Sequence, residues 1–173
     1  MKSGLTIAID GPAASGKSTT ARLLAKQLGY IYIDTGAMYR AATLAVLDSN
    51  ADPLDKNAVA DVVRRSNIEL KIQKGIQHTF LDGRDVSDHI RTPQIDKAIN
   101  NISTNAEVRK IMVEYQRKTA GQGGVVMDGR DIGTVVLPDA DLKVSLWLIS
   151  KPHLKGPPDE VFVKFSIQNN TDK

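Results

Sequence analysis

The sequence predicts an α/β fold, a parallel sheet flanked by helices with a small antiparallel β insertion, and three observations carry that expectation. The apolar run Leu5-Thr-Ile-Ala-Ile9 enters a glycine-bearing turn and then an amphipathic stretch, as a buried strand feeding a crossover helix does. Further apolar runs at Tyr30 to Ile33, Val125 to Met127 and Leu142 to Leu148 have the length of buried strands. Between them, Ile68, Leu70 and Ile72 alternate with polar residues and Asp82-Gly83 supplies a tight turn, the pattern of an antiparallel hairpin.

The elements follow in order. Residues 17 to 28 read as a helix with Ala21, Leu24 and Leu28 on its apolar face, and Gly29 stands where a left-handed cap residue belongs. Asp34 to Arg40 closes the second strand, and a helix rich in Ala and Leu runs to about Leu47. Gly75 marks a turn in the insertion, and Thr79 to Leu81 returns as a strand. Thr92-Pro93 opens a helix with proline at its first position, and Thr104-Asn-Ala-Glu107 reads as a capping box for the next. The apolar stripe of that helix is Val108, Ile111, Met112 and Tyr115, and Gly121 to Gly124 ends it. Val161, Val163, Phe165 and Ile167 alternate as a last strand. A parallel partner would require a helical crossover, which the proline-rich and charged stretch Lys151 to Glu160 cannot supply.

At 173 residues the chain has the length of one globular domain with a small insertion. Its 23 basic and 20 acidic residues leave a net charge of +3, which is weak evidence for nucleic-acid binding and fits an anionic small substrate equally well; no nucleic-acid partner is expected. The chain has no cysteine, so disulfide frameworks and thiolate metal sites are excluded. Leu5 to Ile9 is too short for a signal-peptide core and no apolar run reaches membrane-spanning length, so a cytoplasmic protein without a membrane partner is expected.

Chemistry concentrates in Gly11-Pro12-Ala13-Ala14-Ser15-Gly16-Lys17-Ser18, which fits G-x-x-x-x-G-K-[ST] and is followed by Thr19. A chance match in a chain of this length has odds of about one in a hundred or lower. Lying between a strand and a helix, the motif can surround a polyphosphate with backbone N–H groups. Lys17 would neutralise the β and γ phosphates, and the Ser18 hydroxyl would ligate Mg²⁺. Asp128 ends the run Val125-Val-Met-Asp128, the place of an acid that holds the magnesium shell through water. These features predict a nucleoside triphosphate site and phosphoryl transfer. The acceptor is sought among arginines, because guanidinium groups pair bidentately with phosphate. Arg40 and Arg130 follow strand ends, Arg109 lies on a helix, and Arg22 reads as a surface residue of the first helix. His78, His89 and His153 have no metal-ligand spacing, and Trp147 and the tyrosines read as packing residues.

Three segments together, Ala8-Ile-Asp-Gly-Pro-Ala-Ala-Ser-Gly-Lys-Ser-Thr19, Asp34-Thr-Gly-Ala-Met-Tyr-Arg40 and Asp128-Gly-Arg-Asp-Ile-Gly-Thr134, resemble bacterial cytidylate kinase, a P-loop nucleoside monophosphate kinase. The likeness covers about residues 1 to 143, and Gly83 to Arg91 is similar to the family's insertion in its monophosphate-binding region. The resemblance implies transfer of the ATP γ-phosphoryl group to CMP or dCMP, with Mg²⁺, by a cytoplasmic monomer. It implies that Lys17, Arg40 and Arg130 are catalytic and that Arg40 and Arg130 hold the acceptor phosphate. Arg109 and Asp131 would then read the cytosine edge, with Asp34 and Thr35 also at the acceptor. On this reading residues 1–150 form the kinase core, with 48–91 as the monophosphate-binding insertion.

The family pattern stops after Asp141-Leu-Lys-Val144, where related chains continue into an arginine-rich lid helix and further acceptor motifs. Here no arginine follows Arg130, and residues 151–173 are expected to be a divergent tail from a truncation or frame shift. Two other readings stay open: a nucleotide-binding protein without turnover, and a P-loop kinase for another small acceptor.

Overall fold

The computed structural model describes residues 4–73, 76–121, 123–149 and 162–169, with side chains described as far as Leu146. The chain divides into two compact units, Met1–Ile33 with Ala120–Lys173, and Asp34–Thr119.

The first unit is built on β1 (Thr6–Asp10), α1 (Lys17–Leu28), β2 (Ile31–Asp34, whose last residue opens the second unit), β6 (Val125–Gly129), β7 (Leu142–Ile149) and β8 (Phe162–Asn169). Its five-stranded sheet has the order β2-β6-β1-β7-β8. β1 is parallel to both neighbours, with Ile9 opposite Asp128 on one side and Val144 on the other. Ile7, Ile9, Val126 and Leu146 from the sheet and Ala21 and Ala25 from α1 form the core. Each such large aliphatic chain gains roughly 1.5–3 kcal/mol on burial. The register leaves Asp10 and Asp128 at strand ends beside the loop that starts α1.

The expected stripe on α1 needs correction. Ala25, not Leu28, completes it: Ala21 and Ala25 are buried, Leu24 packs partly, and Leu28 is 45% exposed. Small residues there let the helix lie close to β1 and β6. Gly29 adopts the left-handed cap as expected, at φ 67°. The predicted last strand exists as β8, antiparallel to β7 with Val144 opposite Ile167, as an arrangement without a crossover requires. The expectations for Gly75, Lys151 to Glu160, His153 and the Trp147 side chain lie outside the described residues.

The second unit contains α2 (Thr35–Asp48), α3 (Lys56–Arg65), β3 (Ile68–Gln73), β4 (Ile76–Leu81), β5 (Arg84–Asp85), α4 (Pro93–Ser103) and α5 (Ala106–Ala120). β3, β4 and β5 make the antiparallel sheet expected for the insertion, with Leu70 opposite Thr79 and Leu81 opposite Arg84. α2 is the hub, packing against α3, α4, β3 and β4 through Met38, Ala41, Ala42, Ala45 and Val46. α3 was not expected, yet Asp55 caps it by accepting from Asn57 and Ala58 N–H, and Val59, Ala60 and Val63 are buried.

The capping box is displaced by one residue. Asn105 Oδ1, not Thr104, accepts from Glu107 and Val108 N–H, because the Thr104 hydroxyl donates back to Asn100 O at the end of α4. His78 has a partner in the same sheet: its Nδ1 meets Asp85 Oδ2 at 2.7 Å. Asp85 also accepts from the Ser87 hydroxyl at 2.6 Å and from Ser87 N–H at 3.0 Å. The Ser87 side chain first, then its backbone N–H, and after them His78 hold the Asp85 carboxyl at about 2. An unfolded aspartate titrates near 3.9, so this group's contribution is complete above about pH 4 and vanishes as pH falls through 2. We expect Asp85→Asn to flatten the acid limb of urea-unfolding midpoints between pH 4 and 2 while leaving the slope above pH 5 unchanged, as followed by circular dichroism.

Candidate active site

The residues of Gly11 to Thr19 form the loop between β1 and α1. Ala14 at φ 62° and Gly16 at φ 80° take the left-handed conformation, which turns successive N–H groups toward one concavity. Gly16 tolerates this without strain, and Thr20 N–H to Gly16 O, 3.0 Å, starts the helix. Gly11 is required for space: a Cβ there would lie 2.6 Å from Leu146 O and 2.7 Å from Ser15 Oγ. Pro12, Ala13, Ala14 and Thr19 are exposed, while Ser15 is buried, its Oγ without a hydrogen-bond partner among the described residues. The Lys17 ammonium folds back on the loop and donates to Pro12 O at 3.1 Å, which keeps the cation beside the loop.

Ser18 Oγ donates to Asp128 Oδ2 at 2.6 Å, so the two residues read from sequence as one metal site are brought together. Both are hard oxygen donors, and their oxygens lie at the helix N-terminus where polyphosphate would sit. That set fits Mg²⁺, which takes few protein ligands and keeps several waters. Among the described residues there is no group of three or more His, Cys, Asp or Glu of the kind that cages a tightly held metal.

Tyr32 packs in the core as the sequence suggests, but it also carries a polar contact. From β2 its hydroxyl donates to Asp128 Oδ1 at 2.8 Å, so Asp128, only 2% exposed, has each carboxylate oxygen bound by a hydroxyl. Tyr30 and Tyr115 are likewise polar partners, accepting from Leu5 N–H and donating to Ser66 O. Asp10 was also missed: its two oxygens accept from Ile132 and Gly133 N–H at 2.6 and 2.8 Å. These bonds hold the π-helical turn Ile132–Val136, which begins at Asp131 in the left-handed region at φ 59°. Arg130 and Asp131 are thereby presented, exposed, immediately after β6.

In the second unit, Arg40 donates from Nη1 to Ile90 O at 3.0 Å and from Nη2 to Asp96 Oδ1 at 2.6 Å. Asp34 Oδ1 caps α2 by accepting from Ala37 N–H, and its Oδ2 faces Arg91 Nη2 at 3.5 Å. Thr35 is buried in the first turn of α2, and Arg109 is half-buried on α5. A separate cavity of about 690 Å³, with Ala45, Asp48, Ser66 and Leu81 in its lining, includes none of the candidate residues.

The family model for cytidylate kinase matches residues 7–154. The chain belongs to the cytidylate kinase family. A cytidylate kinase of Lactobacillus gasseri is 52% identical over 142 residues, 82% of this chain and 62% of that protein. Those of Caldicellulosiruptor bescii, 48% identical over 151 residues, and Desulfitobacterium hafniense, 51% over 146, cover 87% and 84% of this chain. The match thus spans 62% of the length of the Lactobacillus protein and 67% of the Caldicellulosiruptor one. Membership bears out the resemblance drawn from the three motifs, and the matched region runs beyond residue 143, where those motifs give out. The α/β architecture expected for the family is found here, a parallel sheet with helices in the first unit and a small antiparallel sheet in the second.

Proposed function

We propose that this chain is a cytidylate kinase, transferring the γ-phosphoryl group of ATP to CMP or dCMP to give CDP or dCDP. The observation that carries the reading is the hydrogen bond from Ser18, next to Lys17 at the start of α1, to Asp128 of β6 in a chain of that family. Lys17 would leave Pro12 O for the β and γ phosphates, and loop N–H groups would hold the rest of the polyphosphate. Bound Mg²⁺ would neutralise charge developing on the phosphoryl oxygens. Arg40 and Arg130 would grip the acceptor phosphate, Arg109 and Asp131 would read the cytosine edge, and Asp34 and Thr35 would also contact the acceptor. The acceptor needs no strong protein base, since a phosphate monoester is largely ionised at pH 7 and attacks once aligned. Residues 48–91 are the proposed monophosphate-binding insertion. The protein would act in the cytoplasm as a monomer on small nucleotides, without nucleic acid or membrane. Among the described residues no helix is long and apolar enough to cross a membrane.

Coupled measurement of ADP release with CMP, dCMP and UMP tests this. Release that depends on CMP or dCMP supports it; ATP binding with no acceptor-dependent release would favour nucleotide binding without turnover. Asp96 holds the guanidinium that the acceptor phosphate would claim, so Asp96→Asn should lower KM for CMP several-fold at unchanged kcat. An unchanged KM would remove Arg40 from the acceptor.

A further inference from the structure

We propose that Tyr32 is a positioning residue for the divalent metal, setting the rotation of Asp128 so that one carboxylate oxygen faces Ser18. The inference rests on the reading of Gly11 to Thr19 as an ATP·Mg²⁺ site. The terminal torsion of an aspartate is broad, so something outside the side chain must fix which way its oxygens point. Here the Tyr32 hydroxyl takes Oδ1 at 2.8 Å and leaves Oδ2 to the Ser18 hydroxyl at 2.6 Å. Asp128 is 2% and Tyr32 8% exposed, so bulk water has little access to replace the phenol.

Tyr32 is itself held firmly. It belongs to the core cluster with Ile7, Ile9, Ala21 and Ala25, and the Arg22 guanidinium carbon lies 5.7 Å from its ring centroid. β2 neighbours β6 in the sheet, which places the phenol beside the strand end that carries Asp128. A phenylalanine would preserve the packing and remove the donor to Oδ1. Residues that orient metal-bound groups in this way commonly change metal affinity 10–100-fold when altered.

The test uses Mn²⁺ as the probe metal and ADP as the nucleotide. Electron paramagnetic resonance titration of free Mn²⁺ gives the affinity of the protein–ADP complex for the metal, and calorimetry in chelator gives metal-free ADP affinity. Tyr32→Phe is expected to weaken Mn²⁺ binding about tenfold with metal-free ADP affinity unchanged. On an Asp128→Asn background the same change should have no further effect on Mn²⁺. Wild-type Mn²⁺ affinity in Tyr32→Phe would overturn the proposal, as would equal losses with and without metal, which mark a merely structural role. If the wild-type chain binds ADP but Mn²⁺ gains nothing from it, the metal-site reading itself falls. If ADP does not bind at all, the reading of the loop falls with it.

Discussion

Replacing Lys17 with alanine is expected to lower CMP-dependent ADP release by about 10²–10³, the loss typical when a preorganised charge or donor at a reacting group is removed. The physical basis lies in where the side chain rests. Its ammonium is already at the loop, hydrogen-bonded to Pro12 O at 3.1 Å, so recruiting it to phosphate exchanges one weak acceptor for strongly charged ones. Little reorganisation is needed, and the interaction strengthens as charge builds on the γ-phosphoryl oxygens. The loss should therefore fall mainly on kcat, with a smaller change in KM for ATP. Circular dichroism and urea unfolding of the variant should match the parent, since Lys17 is half-buried and contributes no core packing. Equal kcat in the two proteins would detach Lys17 from the transferring group.

Gly11→Ala should damage both stability and nucleotide binding. The added methyl would meet Leu146 O at 2.6 Å and Ser15 Oγ at 2.7 Å, and the former is backbone of β7. Either the loop or the strand must move. Overpacking of this kind costs about 1–3 kcal/mol, which in a chain of this size lowers Tm by several degrees. Because the displaced segment is the proposed phosphate cradle, ATP affinity should fall as well, and the two effects can be read separately by thermal unfolding without nucleotide and by calorimetric titration with it. Gly16→Ala is the informative companion: nothing lies within 4 Å of its added Cβ, but φ is 80°, so only backbone strain opposes the change. Its effect on stability should be smaller.

Local signals of fixed spacing were legible from the chain alone. The loop from Gly11 to Thr19, the strand ending at Asp128, Gly29 as a helix stop and the alternation of Ile68, Leu70 and Ile72 each declare themselves within a few residues. α3 also carried such signals, in Asp55 followed by Val59, Ala60 and Val63, but its apolar stripe is short and flanked by charge. What could not be read is what the sheet register creates. Tyr32 sits in an apolar strand and reads as packing until β2 is set beside β6, 96 residues away from its partner Asp128. The π-helical turn is held by Asp10 from 122 residues away, and no local pattern encodes that bond. The displaced cap at Asn105 has a different origin, competition: Thr104 had two possible partners, and the end of α4 claimed it.

The proposed activity requires the Gly11–Thr19 loop with its Ser18–Asp128 pair, and the arginines proposed to hold the acceptor, to serve one phosphoryl transfer. Its most direct test follows the label of γ-³²P-ATP in the presence of Mg²⁺ and CMP, with the Lys17→Ala variant in parallel. Labelled CDP is expected from the wild-type chain and almost none from the variant. Label that stays in ATP, or that appears only as inorganic phosphate whether or not CMP is present, would contradict it.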